Sequence, residues 1–140
     1  MAERLILDTS ILVEVERGRL DLATVAADDD DVALPAIVVA EYLTGVQLAA
    51  TAKQRSSRQE FLDRVLAALP IEDYTRLVAE RHAELLAHLR RSGTTRGAHD
   101  LILAATASST GRTVLTADDR AHFDGLPDVT VRLVRSPTRP

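Results

Sequence analysis

Arg4-Leu5-Ile6-Leu7-Asp8-Thr9-Ser10-Ile11 opens on a brief strand-like apolar run that stops at a carboxylate, after which a helical pattern takes over. The same alternation continues down the chain. Short helices are expected at 10–17 and 20–27, punctuated by Gly18, and a second short strand at 32–34. Pro35 suits the first turn of a helix running to about residue 48, because its missing N–H costs nothing there. Residues 54–68 carry Phe61, Leu62, Val65 and Leu66 as a stripe of helical period that continues to Leu69. A third strand is expected at 69–71, an amphipathic helix at 75–91 and a polar loop at 92–97. An apolar helix at 100–110 is closed by Gly111, and strands follow at 112–116 and 129–134. Strands separated by helices predict right-handed crossovers and an α/β fold, a mostly parallel sheet between helical layers.

The chain has 140 residues, 46% of them apolar, which suits one domain with a real core. The expected division is one domain over 1–134 and a frayed tail over 135–140, where two prolines and no apolar face occur. With no cysteine, a disulfide scaffold, thiolate zinc and a cysteine nucleophile are excluded, and a reducing cytoplasm fits. The longest charge-free stretches, 42–52 and 101–111, fall short of the roughly 18 apolar residues a membrane span needs, and no signal peptide is visible. Seventeen basic residues against twenty-one acidic give a net charge of −4. Such a chain does not grip nucleic acid by bulk charge. An acidic pocket that holds metal ions and lets them meet the phosphate remains open to it. The acidic run at 28–31 reads as a solvated turn.

Four acids interrupt apolar surroundings. Asp8 follows Leu5-Ile6-Leu7, Glu41 is the only charge between Val32 and Ala52, Asp100 opens Leu101-Ile102-Leu103-Ala104-Ala105, and Asp118 follows Thr113-Val114-Leu115-Thr116. Singly, each of the three aspartates reads as a helix cap and Glu41 as a solvated edge. Together they are more informative, because the carboxyl ends of parallel strands form one rim where ligands bind. Four carboxylates gathered there repel one another, and no lysine lies near any of them, so a divalent cation is the economical counter-charge. Oxygen-only ligands select a hard ion, Mg²⁺ or Mn²⁺. That donor set suits phosphodiester hydrolysis. Thr9, Ser10 and Thr116 supply short hydroxyls that either cap helices or orient the carboxylates.

The segments Leu7-Asp8-Thr9-Ser10, Ala40-Glu41-Tyr42-Leu43-Thr44-Gly45, His99-Asp100-Leu101-Ile102-Leu103-Ala104-Ala105-Thr106-Ala107 and Val114-Leu115-Thr116-Ala117-Asp118 together resemble the PIN domain, most of all the VapC-type toxins of bacterial toxin–antitoxin pairs. Each motif alone is weak; the four in order cover essentially the whole chain. The resemblance implies a five-stranded parallel sheet in a three-layer α/β/α arrangement and a Mg²⁺- or Mn²⁺-dependent endoribonuclease. It also implies a homodimer, and neutralisation by a small VapB-type antitoxin whose C-terminal segment reaches the active site and which alone contacts operator DNA. It carries the first three acids onto Asp8, Glu41 and Asp100, with Asp8, Asp100 and the fourth acid as metal ligands. Counting from Thr116 selects Asp118 as the fourth acid. Counting back from Phe123 through His122 selects Asp119, which stands as substitute or helper.

Arg90, Arg91 and Arg96 flank the loop before Asp100, either as a solvated helix end or as a phosphate-gripping edge. Lys53, Arg55 and Arg58 read as plain surface. His99 reads as capping or surface, with a substrate or antitoxin contact as the alternative, and His82, His88 and His122 lack metal-ligand spacing. Leu48 and Phe61 are the apolar candidates for a two-fold interface. A haloacid-dehalogenase-like phosphatase would need an acid where Ser10 stands, and a response-regulator receiver would need a lysine at a late strand end. The rival of another class is an inactive PIN-type module that acts only with antitoxin and operator DNA.

Overall fold

A computed structural model describes residues 1–119 and 122–135, so the tail expected at 135–140 falls outside the described residues from 136 onward. Five strands, β1 (Arg4–Leu7), β2 (Asp31–Pro35), β3 (Ile71–Glu72), β4 (Thr113–Thr116) and β5 (Val131–Leu133), form one sheet in the order β3-β2-β1-β4-β5. Every pairing is parallel. The helices are α1 (Thr9–Glu16), α2 (Ala36–Gln47), α3 (Ala52–Ala68), α4 (Arg76–Ser92) and α5 (Ala98–Thr110). No helix among the described residues is long and apolar enough to cross a membrane.

The alternation of side chains along a strand explains the layers. Leu5 and Leu7 pack with Ile11, Leu12, Val38, Tyr42 and Leu62 of α1, α2 and α3. Ile6 points the other way, against Val78, Leu85 and Leu89 of α4 and Leu101 and Leu103 of α5. Leu115 and Val114 of β4 divide between the two faces in the same manner. Both faces of β1 are therefore buried, which is why it reads as an unbroken apolar run. Burying one such leucine or isoleucine is worth roughly 1.5–3 kcal/mol. Thr51 and Thr75 cap α3 and α4 by accepting from Gln54 N and Val78 N. Gly111 ends α5 at φ 65°, a left-handed conformation that costs glycine little.

Several local expectations shift. The helix expected at 20–27 is only a 3-10 turn, Leu22–Thr24. Asp21 accepts from Ala23 N, and Asp30 accepts from Ala27 N, so carboxylates take the donors a helix would have used. Asp30 also accepts from Glu3 N, so the acidic run at 28–31 is more than a solvated turn. Pro35 is the last residue of β2 and precedes α2 in extended conformation, one step before the expected position. The third strand starts later than expected because Leu69 N still bonds Val65 O at the end of α3. Arg112 stands before β4 because its N–H closes α5 on Ala107 O.

Phe61, expected at an interface, turns inward: it packs against the core of the α1–α3 side, with its ring 5.8 Å from that of Tyr42. Leu48 remains 78% exposed at the end of α2.

Candidate active site

The order β3-β2-β1-β4-β5 sends the chain from β1 to one side of the sheet and from β4 to the other. A crevice opens outside the carboxyl ends of strands at such a reversal. Asp8 sits there, its N–H bonding Leu115 O at 2.9 Å as the last rung between β1 and β4. Its carboxylate caps α1: Oδ1 accepts from Thr9 N at 2.8 Å. Oδ2 accepts from Ser10 Oγ at 2.9 Å and Thr116 Oγ1 at 2.8 Å. A hydroxyl has one proton to give, and here both protons go to Asp8. The two oxygens in turn accept from Ala117 N and Asp118 N, so each hydroxyl is fixed from both sides. Ser10 and Thr116 thus orient the carboxylate, as well as bracing the turn after β4. Burial pushes the Asp8 carboxyl above its ordinary value, its three hydrogen bonds work the other way, and the charge of Asp100 adds to the rise.

Glu41 lies in the second turn of α2. Its Oε1 accepts from Thr9 Oγ1 at 3.2 Å, and its Oε2 lies 3.4 Å from His99 Nδ1. Asp100 lies in the first turn of α5, three residues beyond Gly97, rather than at the cap itself. A Cβ on Gly97 would stand 3.2 Å from Asp100 Oδ2, so the glycine leaves room for the carboxylate. Asp118 follows β4, and its Oδ1 accepts from Asp119 N at 2.8 Å. Between these last two acids stands His122. Its Nδ1 is 3.0 Å from Asp100 Oδ2 and its Nε2 is 3.8 Å from Asp118 Oδ2. Asp118 therefore faces Asp100 across an imidazole, while Asp119 follows it on the rim.

Two groupings result: Asp8 with Thr9, Ser10, Thr116 and Glu41, and Asp100 with His122 and Asp118. Among the described residues, no three acidic or histidine side chains already enclose an ion site. Glu41, Asp100 and Asp118 have only histidines as ion-pair partners among those residues. A desolvated Asp8 that feels Asp100, surrounded by oxygen donors, has the chemistry a hard divalent cation satisfies.

His122 is the residue that sequence reasoning left out, whereas His99, read as capping or surface or as a substrate or antitoxin contact, lies against Glu41. The signal for His122 was its position four residues after Asp118 and directly before Phe123, whose burial turns the imidazole back to the crevice. Arg96 is committed elsewhere, donating to Thr95 O and Asp124 O, and Arg90 and Arg91 are exposed in the last turn of α4. None of the three touches the four acids among the described contacts.

The hydrogen bond to Asp100 holds His122 above its ordinary value of 6.5, with the charges of Asp100, Asp118 and Asp119 acting in the same direction against mild desolvation. The stabilisation from the charged imidazole is complete below that ordinary value and disappears as pH rises through the raised one. In metal-free protein, the melting temperature of the wild type is expected to fall relative to His122→Gln as pH rises from 6 to 9, about the histidine range. Parallel melting curves for the two proteins would place His122 outside the acidic crevice.

The chain matches the PIN domain over residues 5–127. It is 37% identical over 130 residues to ribonuclease VapC5 of Mycobacterium tuberculosis, covering 90% of this chain and 92% of that protein. Among solved structures, VapBC-5 of the VapBC family of toxin–antitoxin systems from Mycobacterium tuberculosis aligns with a TM-score of 0.77 at 32% identity, covering 94% of this chain and 98% of that one. VapBC2 from Rickettsia felis, bound to a DNA fragment from its promoter, aligns at 0.83 over 94% and 98% of the two chains; at 24% identity that likeness concerns the fold. The chain is a PIN-domain protein and belongs, within that class, to the VapC family.

Proposed function

We propose that this chain is the toxin of a type II toxin–antitoxin pair, acting in the cytoplasm as a Mg²⁺- or Mn²⁺-dependent endoribonuclease. The observation that carries the reading is the convergence of Asp8, Glu41, Asp100 and Asp118 on the crevice between β1 and β4, beside the raised Asp8. The relatives named ribonuclease VapC supply the reaction class.

Asp8, Asp100 and Asp118 would hold the cation, with Glu41 across from them beside Thr9. Bound there, a divalent cation acidifies a water and offsets charge on the phosphodiester. The chain's own residues do the rest. Ser10 and Thr116 aim Asp8 and favour its charged form against the burial that raises its carboxyl, since both donate to it. Glu41 accepts a proton or a water hydrogen at the opposite wall, held by Thr9 and His99. Protonated His122 pairs with Asp100 Oδ2, so it would compete with a bound cation for that carboxylate.

The partner is a VapB-type antitoxin with an Arg or Lys that enters this carboxylate cluster, and operator DNA is reached through that antitoxin. The charge-assisted pairing is strong because, among the described residues, the ion-pair partners of Glu41, Asp100 and Asp118 are histidines. Two copies of the chain pair through the exposed apolar surface around Leu48.

Glu41→Gln separates a pocket residue from a solvated edge. The variant is expected to lower Mn²⁺ affinity by roughly tenfold, the size of effect seen when a residue supporting a metal site is removed, and to abolish growth inhibition. Calorimetric titration checks the first and induced expression the second. Identical Mn²⁺ titration would return Glu41 to the surface role. A wild-type chain that takes up no Mn²⁺ would instead support the binding-only module.

A further inference from the structure

A cavity lies beside the acids, not over them. It has a volume of about 510 Å³, within the range of roughly 300–1,000 Å³ usual for small-ligand sites. It runs from Thr9 and Glu41, at the edge of the acidic crevice, into the space between α1, α2 and the start of α3. The basic residues at its lining, Arg17, Lys53 and Arg58, outnumber the acids Glu16 and Glu41, in a chain whose net charge is −4.

The three cations are not equivalent. Arg58 is engaged: Nη1 donates to Gly45 O at 3.0 Å and Nε lies 4.0 Å from Glu16 Oε1. Arg17 and Lys53 form no ion pair and no side-chain hydrogen bond among the described residues, and both are exposed. Lys53 is the only lysine in the sequence. Tyr42 also lines the cavity. It is 6% exposed, and burial, together with the charge of the Glu16 carboxylate that meets its hydroxyl, pushes the phenol above its ordinary value. Gly45 completes the lining, and a Cβ built there meets no protein atom within 4 Å.

We propose that this cavity is a nucleotide subsite that holds the RNA residue adjoining the cut phosphodiester, with the flanking phosphate on Lys53 and Arg17 and the base and ribose against Tyr42 and Gly45. The proposal rests on the ribonuclease reading and adds to it the strand's path across the protein. An acidic enzyme must meet its polyanion somewhere, and two unpaired cations contiguous with Glu41 are the place where charge complementarity exists. The lining is mixed, with Val13, Tyr42 and Gly45 beside Thr9, Gln54 and Ser57, so it can cover part of a base while its hydroxyl and amide groups meet the ribose hydroxyls. Arg90 and Arg91 on α4, and Arg96 with its carbonyl partners, are then not the grip.

Cleavage kinetics with Mn²⁺ test it, on a single-stranded RNA longer than the site and on a dinucleotide that carries no phosphate flanking the one it offers for cleavage. Lys53→Gln combined with Arg17→Gln is expected to raise KM for the longer RNA roughly tenfold more than for the dinucleotide, and to flatten the slope of log KM against log salt by about 2, one for each phosphate-facing cation lost. Gly45→Gln, whose Cβ has open space around it at the cavity wall, should give a similar rise in KM without the change in salt slope. Arg76→Gln is the control for loss of one surface charge elsewhere: Arg76 lies at the start of α4, exposed, paired with Glu80. Equal KM and salt slope in wild type and the Lys53/Arg17 variant would overturn the subsite while leaving the ribonuclease reading intact. So would a variant that loses only antitoxin affinity, for the cavity would then be a groove for a protein partner. A wild-type chain that cuts no RNA would overturn the ribonuclease reading first, and the subsite with it.

Discussion

Asp8→Asn and Asp100→Asn, each made alone, are expected to reduce RNA cleavage by about 10³-fold or more while the fold survives. Asparagine keeps the shape of aspartate and remains a good helix cap, so α1 can still start at position 9. What it removes is the charge that would hold the cation. The stability outcome has the opposite sign from the activity outcome. Burial raises the Asp8 carboxyl, more than the bonds from Thr116, Ser10 and Thr9 lower it, and the Asp100 charge raises it further. A carboxyl raised in the folded state contributes its stabilisation at pH below its ordinary value of 3.8 and loses it as pH rises through the raised value. Above the raised value the charge on Asp8 is therefore a burden on the metal-free protein, and Asp8→Asn should melt no lower than wild type. Added Mn²⁺ should raise the melting temperature of wild type and leave Asp8→Asn unmoved, because only a ligand that binds the folded state shifts its stability. Scanning calorimetry with and without Mn²⁺, beside a cleavage assay, reads both halves. Full cleavage by both variants would end the metal-nuclease proposal.

Arg112→Ala is expected to carry the largest stability penalty of any single charged-residue change in the chain, about 3 kcal/mol, or roughly 10–15 °C in melting temperature for a chain this size. The guanidinium is only 4% exposed at the edge of the sheet opposite the acids. Its Nη1 donates to Leu5 O, Asp31 O and Asp31 Oδ1, and its Nη2 donates to Glu72 Oε1. One side chain thus ties β1, β2 and β3 together. Alanine would leave two main-chain carbonyls and a carboxylate without their donor. The estimate stays at the low end for a broken buried pair because Asp31 remains 43% exposed and also binds Arg4. Arg112→Lys should fall between wild type and alanine, since an ammonium keeps the charge but cannot span Asp31 and Glu72 in one planar fork. Thermal melts of the three proteins check the order. RNA cleavage per folded molecule should not change, because Arg112 lies away from the crevice.

Much of the molecule follows from one-dimensional pattern. The apolar run before Asp8 had to be a buried strand, the stripes before Gly93 and Gly111 had to be helices, and their alternation had to build a parallel sheet. The four acids were legible for the same reason: a charge stands out against Leu, Ile, Val and Ala, and parallel strands bring their carboxyl ends to one rim. The orienting hydroxyls were legible too, since Ser10 and Thr116 lie within two residues of the acids.

Other features depend on partners far apart in the chain, which no local pattern encodes. Arg112 looked like the first residue of a strand; its buried fork requires Asp31 and Glu72, 81 and 40 residues away. His122 lacked any ligand spacing, and became part of the crevice only because the chain returns it 22 residues later to Asp100. Phe61 has the stripe position of an interface residue, but packing against Tyr42 claims it for the core. Lys53 and Arg17 belong to different helices whose approach creates the cavity between them. Sequence by itself determined which residues are too polar or too apolar for their neighbourhood, because burial period and charge are local quantities. Which of those residues meet was decided only by the crossovers of the parallel sheet, because each crossover joins segments that the chain separates by dozens of residues.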